Sequence, residues 1–179
     1  MWIISGPSGV GKGTVCNRLR ELHPEIHIPV SATTRPPRAG ELDGVSYHFV
    51  SQTEFEELHT SGQLLEAAQV HGHHWYGTPR ADVSQALAEG KTVVLEIDLQ
   101  GARQVKQNLP EAGLVFLAPP SWDELVRRLT GRGTEDAGSV NRRLVTAEAE
   151  LAAQEEADVI IVNDKLEDTV QALINLLGL

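Results

Sequence analysis

The residues Gly6-Pro7-Ser8-Gly9-Val10-Gly11-Lys12-Gly13-Thr14 follow directly on the apolar run Trp2-Ile3-Ile4. A buried strand that ends in a glycine-rich turn and feeds a helix points several backbone N–H groups at one place, where the helix dipole also favours negative charge. Gly6, Gly9 and Gly11 supply dihedrals and a close approach that a Cβ would forbid, and Lys12 supplies a full positive charge for the β- and γ-phosphates of a nucleotide. The segment from Gly6 to Thr14 therefore reads as a phosphate-binding loop, a P-loop for ATP. It departs from the usual spacing at Gly13, where Ser or Thr normally follows the lysine. The hydroxyl comes one residue later, which makes Thr14 the candidate Mg²⁺ ligand. The plainer alternative is a turn that merely joins strand to helix, but the helix is itself legible. Val15, Leu19 and Leu22 recur at i, i+4 and i+7, Cys16 widens that face, and Pro24 stops the run.

Five apolar stretches read as core strands: Trp2 to Ile4, Ile28 to Val30, Val93 to Ile97, Leu114 to Ala118 and Val159 to Val162. Most are continuous rather than alternating, the pattern of strands covered on both faces. Helices separate them. Gly101 to Leu109 turns Ala102, Val105 and Leu109 inward, Ser121 to Glu124 is a capping box before Leu125 and Leu129, and Ser139 caps a helix through Leu144, Ala147 and Leu151. Leu166, Val170, Leu173, Ile174 and Leu177 make a last amphipathic helix. The sum is an α/β fold with a five-stranded parallel sheet flanked by helices.

Two segments break the alternation. From Ser31 to Thr78 a Pro/Gly-rich loop precedes Val45, Tyr47 and Phe49 on alternate residues, a Ser51-to-Glu54 capping box and a short strand near Leu64 to Val70, which reads as a small α+β insert. The stretch from Gly131 to Gly138 is polar and glycine-rich between two helices, a composition that suits a mobile lid. His71, His73 and His74 suggest a metal, but no cysteine or second ligand cluster accompanies them, so an exposed hairpin turn is expected there.

With 179 residues and a formal charge of −10, the chain is expected to be one domain that binds neither nucleic acid nor an anionic membrane. No apolar run reaches the roughly 18 residues of a membrane span, and no signal-peptide pattern is visible at the N-terminus. Cys16 is the only cysteine, which excludes an internal disulfide and fits a reducing cytoplasm. The cations are not scattered. Lys12, Arg35, Arg38, Arg127, Arg128, Arg132, Arg142 and Arg143 lie in or beside loops, as expected of groups converging on a small anionic ligand, with Arg127 and Arg142 best read as solvated.

Taken with the P-loop, the segment Ser31-Ala32-Thr33-Thr34-Arg35-Pro36-Pro37-Arg38-Ala39-Gly40-Glu41, then Tyr76-Gly77-Thr78, Glu96-Ile97-Asp98-Leu99-Gln100-Gly101 and Gly131-Arg132-Gly133-Thr134 resemble guanylate kinase over nearly the whole chain. The resemblance implies transfer of the ATP γ-phosphoryl to GMP, with dGMP as a further acceptor, giving ADP and GDP with Mg²⁺. It also implies a single domain spanning 1–179: a core of 1–30, 79–130 and 151–179, a GMP-binding insert of 31–78 and a lid of about 131–150. The small-molecule partners are then ATP and GMP.

Chemistry and resemblance meet at particular residues. A nucleoside monophosphate with a second pKa near 6 is mostly dianionic at neutral pH and attacks without a general base. What remains is to bring two polyanions together and stabilise the transferring group. Lys12, Arg132 and Arg143, supported by Arg128, match the family's catalytic cations, and Arg35, Arg38, Tyr47 and Tyr76 match its GMP-phosphate site. Guanine presents N1–H and a 2-amino group as donors, so a guanine site wants carboxylates. By resemblance Glu66 and Asp98 face those donors, with Ser31 and Thr78 completing the base site and Asn163 at the adenine of ATP. Asp98, or Glu96 on the same face, is alternatively the acidic residue that orients Mg²⁺ through water. Two rival functions stay open: a kinase for another nucleoside monophosphate, and a non-catalytic guanylate-kinase-like module that binds phosphorylated peptides. Such modules typically lose the P-loop lysine, which is present here as Lys12.

Overall fold

The computed structural model describes residues 1–70, 72–131 and 137–179, with the backbone alone for residues 137–140. Strand β1 (Trp2–Ser5) runs into the glycine-rich loop and helix α1 (Lys12–Leu22) leaves it. β1 sits inside a parallel sheet of order β6 (Val94–Glu96), β1, β7 (Gly113–Ala118), β8 (Val159–Val162). Helices cover both faces of that sheet, so its central strands need apolar residues on both. On one face Ile4, Val115 and Leu117 pack with Val15 and Leu19 of α1 and with Val170 and Leu173 of α7 (Leu166–Leu177). On the other, Ile3, Leu95 and Leu114 pack with Val83 and Ala86 of α3 (Arg80–Ala88) and with Ala102 and Val105 of α4 (Leu99–Asn108). Gly113 is demanded by close approach, since a Cβ there would lie 2.3 Å from the Trp2 ring.

The sheet has four strands, not the expected five. The stretch from Ile28 to Val30 forms no strand among the described residues; beside it His27 makes a single parallel bridge to Val93, closed by His27 N–H to the Thr92 carbonyl and Val94 N–H to the His27 carbonyl. The next donation along that ladder falls to Pro29, which has no N–H, so pairing ends there.

A second four-stranded sheet has the order β3 (His48–Phe49), β2 (Ala32–Thr33), β5 (His74–Pro79), β4 (Leu64–Val70). Helix α2 (Gln52–Thr60) closes one of its faces through Phe55, which packs with Ala32, Leu64, Ala67 and Trp75. The Ser51–Glu54 capping box that starts α2 is present in both halves. The alternation Val45, Tyr47, Phe49 does not extend β3: the chain before it folds back with Gly44 at φ +72°, and Val45 is left 65% exposed. Strand β5 and helix α3 were not singled out by periodicity, because His74–Pro79 offers no apolar alternation and α3 is weakly amphipathic.

Several helix ends also differ from expectation. Leu22 closes α1 but is 44% exposed. The α4 helix starts at Leu99, two residues early, because the Asp98 carboxylate caps it by accepting from Gly101 N–H. Helix α5 (Trp122–Thr130) has half a capping box: Ser121 accepts from Glu124 N–H, but the Glu124 carboxylate goes to Arg127 and Arg128. Helix α6 (Ala137–Ala152) begins before Ser139, which lies in its first turn rather than capping it. No helix among the described residues is long and apolar enough to cross a membrane.

Because Phe55 is the one large side chain fully buried in the second sheet's own cluster, Phe55→Ala should cost about 3–5 kcal/mol. Hydrogen exchange should then rise on β2, β4 and β5 while the amides of β1 and β7 stay protected; equal loss in both sheets would mean a single cooperative core.

Candidate functional site

A cavity of about 500 Å³ lies between the glycine-rich loop and the second sheet. It is lined from the loop by Pro7, Ser8, Gly9, Gly11, Lys12, Gly13 and Thr14, and from the second sheet and its loops by Ser31, Arg35, Arg38, Tyr47, Glu66 and Tyr76. Asp98 at the start of α4 and Arg143 on α6 complete the expected set that converges there. Arg132 and the glycine-rich stretch after it, expected to form a lid, lie outside the described residues, as does His71.

The loop owes its shape to Gly6, Gly9 and Gly11, at φ +143°, +84° and +104°. A Cβ at Gly6 would lie 2.3 Å from the Leu117 carbonyl oxygen, and one at Gly11 would lie 2.8 Å from the Asn163 amide nitrogen. The Lys12 ammonium curls back over the loop and donates to the Gly6 carbonyl at 2.5 Å. Arg143, buried on α6, donates from Nε and Nη2 to the Ser8 hydroxyl at 3.2 and 3.0 Å. The Thr14 hydroxyl makes no hydrogen bond among the described residues.

Two expected site residues act from behind the loop and do not line the cavity. Asn163 donates its amide to the Val10 carbonyl at 2.8 Å and accepts from the Thr169 hydroxyl at 2.9 Å, so its side chain is committed to the fold. Arg128 donates to the carbonyls of Val10 and Asn163 and pairs with Glu124. In this arrangement both position the loop; neither reaches the cavity.

At the far end the Glu66 carboxylate is buried and accepts from the Thr78 hydroxyl at 2.8 Å. Burial pushes Glu66 up to about 7, with the Thr78 hydrogen bond opposing and the Asp98 charge adding. Asp98 is also raised by burial, and the Gly101 N–H at its Oδ1 restrains the rise. Gly101 is required here, because a Cβ would lie 2.4 Å from Glu66 Oε2.

Between these ends sits a cationic and aromatic group. Arg35 is buried and forked onto Glu41 at 2.9 and 2.8 Å, with Nε donating to the Tyr76 hydroxyl and Nη1 to the Pro36 carbonyl. The Arg35 hydrogen bond holds Glu41 below the usual carboxylate range. Four of the five Arg35 N–H groups are therefore used, whereas the exposed Arg38 guanidinium has no partner among the described residues. Tyr47 stacks edge-on against Tyr76 and lies 5.3 Å beneath the Arg35 guanidinium; burial, then the Glu96 charge, pushes its hydroxyl up to about 12.

Further lining residues include Glu150, which the sequence did not assign to the site, and Glu96, the alternative Mg²⁺-orienting carboxylate. Glu150 on α6 meets the Ser8 N–H at 3.4 Å, and burial raises its carboxyl. The signal was available in α6, where Arg143, Ala147 and Glu150 share the buried face, so the helix packs polar groups against the loop rather than burying Leu144 and Leu151 fully. Arg142, read as solvated, lines the cavity too. Glu96, half-buried at the end of β6, lies 3.4 Å from where a Gly13 Cβ would be; desolvation raises its carboxyl, while Lys12 and Arg20 pull it down.

The model of the guanylate kinase family matches residues 1–178. The chain belongs to this family. Guanylate kinase of Leifsonia xyli is 55% identical over 175 residues, covering 98% of this chain and 69% of that protein. Guanylate kinase of Streptomyces coelicolor is 57% identical over 174 residues, covering 97% and 88%. The crystal structure of guanylate kinase from Anaplasma phagocytophilum superposes with a TM-score of 0.82 at 34% identity, covering 99% of this chain and 84% of that one. A shikimate kinase from Bacteroides thetaiotaomicron, at 19% identity and a TM-score of 0.54, shares the fold alone. The phosphoryl-transfer family thus accounts for the parallel core and its loop.

Glu66 makes a pH signature. Its folded-state pKa of about 7 lies above the ordinary 4.5, so between those values the native chain holds a proton that the unfolded chain has lost. The stability this contributes is full below about pH 4.5 and is lost as pH rises through about 7. Glu66→Gln should flatten that decline by up to about 3 kcal/mol in urea unfolding across the same window. A wild-type-minus-variant difference that does not vary with pH would sink the assignment.

Proposed function

We propose that the chain transfers the γ-phosphoryl group of ATP to GMP, giving ADP and GDP, with dGMP as a further acceptor. The observation that carries the reading is one cavity that joins the glycine-rich loop and its lysine to the buried Glu66–Thr78 pair. Guanine's N1–H and 2-amino donors find acceptors at Glu66 and Asp98, near Ser31 and Thr78, whereas adenine offers an unprotonated N1 to that edge. The acceptor's phosphate falls among Arg38, Arg35, Tyr47 and Tyr76, and the triphosphate on the loop N–H groups and Lys12. Asn163 and Arg128 serve ATP by holding the loop in shape, and Arg132 is assigned to the lid of about 131–150 that closes over both nucleotides.

The dianionic GMP phosphate attacks the γ-phosphorus as the bond to the ADP oxygen breaks, and no side chain need take a proton. Lys12, Arg143 and Arg132 stabilise the charge on the transferring oxygens, and closure excludes water. The residues fit a divalent cation such as Mg²⁺. Thr14 offers an uncommitted hydroxyl to the cavity, and the half-buried Glu96 and Asp98 carboxyls stand beside the loop as hard oxygen donors. Such an ion would be held by Thr14 with Glu96 and Asp98 beside it, and would supply positive charge to offset that of the phosphates. Gly13 admits the Glu96 carboxylate close to the loop backbone, and Thr14 carries the hydroxyl. A cytoplasmic setting fits the lone buried thiol of Cys16.

A coupled assay of ADP release with GMP, AMP, UMP and dTMP as acceptors tests the reading; turnover with GMP is expected, and turnover confined to another nucleotide would overturn it. Lys12→Ala should lower kcat by roughly 10²–10³-fold or more in a folded protein, because the ammonium touches loop carbonyls and no core side chain. A folded variant with near-normal turnover would remove Lys12 from the catalytic role, whereas a wild type without ATP turnover would favour a binding module.

Glu66→Gln should cut kcat/KM for GMP roughly tenfold to a hundredfold, since the amide sets a donor against guanine's own donors. ATP affinity should hold. A parallel fall in both would show Glu66 acting through the fold.

A further inference from the structure

Residues along β5 alternate sides. Trp75 packs toward Phe55 and α2, and Gly77 has the Phe55 ring close by, so His74, Tyr76 and Thr78 form a row on the opposite face; His74 and Tyr76 line the cavity, and Thr78 meets it through Glu66. Their cross-strand partners on β4 are Val70, Ala68 and Glu66, and all three of these line the cavity. The His-rich turn therefore ends before the strand, where His73 N–H donates to the Val70 carbonyl. His74 is the first residue of β5 and not part of an exposed turn.

The row has a chemical polarity. Thr78 and Glu66 present acceptors at one end, Tyr76 receives the Arg35 Nε–H in the middle, and His74 stands at the other end beside Arg38. Two steps of about 7 Å along the strand place His74 roughly 13 Å from Thr78, a length comparable to an extended nucleoside monophosphate. We infer that His74 is a further contact of the acceptor's phosphate, a neutral imidazole in the free protein that takes a proton from solvent when the dianion arrives. The inference rests on the GMP reading given above.

The surroundings support this. Burial, then the charges of His73, Arg35 and Arg38, hold His74 below the ordinary histidine range. Arg35 is paired with Glu41, and Tyr76 and Tyr47 are uncharged neighbours in the same cavity, so of the two arginines that oppose protonation Arg38 is the one whose guanidinium has no partner among the described residues. A phosphate dianion held by Arg38 removes that opposition, and the imidazole then gains a proton and a charge-assisted hydrogen bond.

The test is calorimetric titration of the chain with GMP at pH 7.5 in two buffers of different ionisation enthalpy. At that pH the free phosphate is already dianionic, and any proton released by Glu66 is common to wild type and H74Q. Wild type should take up a larger fraction of a proton than H74Q, and guanosine, which lacks the phosphate, should show no such difference. In ADP-release assays H74Q should raise the KM for GMP roughly threefold to tenfold at pH 6.5, with kcat unchanged, and the ratio should approach one by pH 8.5. H74K, a permanent cation, should keep wild-type KM and lose the pH dependence. Equal proton uptake in wild type and H74Q, or a KM ratio that does not vary with pH, overturns the inference alone. Wild type that neither binds nor phosphorylates GMP overturns the functional reading, and this inference with it.

Discussion

The Val10 carbonyl accepts from the Asn163 amide at 2.8 Å and from Arg128 at 3.2 Å, and this pair of bonds holds the phosphate-binding loop from behind. The loop cannot hold itself, because three of its residues adopt positive φ and each such glycine forfeits the most backbone entropy on ordering. Val10 is fully buried beside Leu125 and Leu129, so the side chain plugs the core while its carbonyl is clamped. The clamp links elements far apart in sequence. Asn163 ends β8 and accepts from Thr169 of α7, and Arg128 belongs to α5 and also bonds the Asn163 carbonyl. Sheet, two helices and loop thus share one small polar knot, which satisfies the buried Val10 carbonyl and fixes the loop backbone from behind.

Charge follows from that arrangement. Glu66, Glu96, Asp98 and Glu150 are all pushed up by burial, in the same cavity as Lys12, Arg38, Arg142 and Arg143. Lys12 donates to the carbonyls of its own loop, Arg143 to Ser8, and Arg35 to Glu41. Each of these three cations therefore has a local partner that a phosphate could replace, or, as with Arg35, one that keeps the guanidinium oriented while a single N–H remains. Partly buried charges interact strongly, and the set tolerates this by pairing internally until a polyanion arrives.

Legibility in the sequence tracked how local the cause was. Strand, glycine turn and helix from Trp2 to Leu22 were readable because each signal lies within a few residues, and the same holds for Ser51 and Glu54. The fifth strand failed on a hydrogen bond that Pro29 cannot make, a fact visible only once the register with Val93 was known. Asn163 and Arg128 were placed at the nucleotide by family resemblance, while their observed bonds go to main-chain carbonyls, which leave no mark in side-chain identity. His74 was read as part of a turn because His-Trp-Tyr-Gly-Thr shows no hydrophobic alternation. Its face is set by pairing with Val70 across β4, not by its own neighbours.

The two sheets divide the chemical labour by their exposed groups. The parallel core delivers a carboxyl-terminal edge where β1 opens into the loop and β6 into Glu96 and Asp98, the edge at which open α/β sheets bind ligands. The second sheet delivers a face, with side chains in a row rather than main-chain donors. An edge suits phosphate, whose recognition needs several converging N–H groups and no side-chain identity. A face suits a purine base and its phosphate, which differ in polarity along their length and must be told apart from other nucleotides. On the proposed reading Glu66 carries the consequence: the burial that raises its pKa also lowers the local dielectric, so guanine's donors would pair strongly with its ionised form.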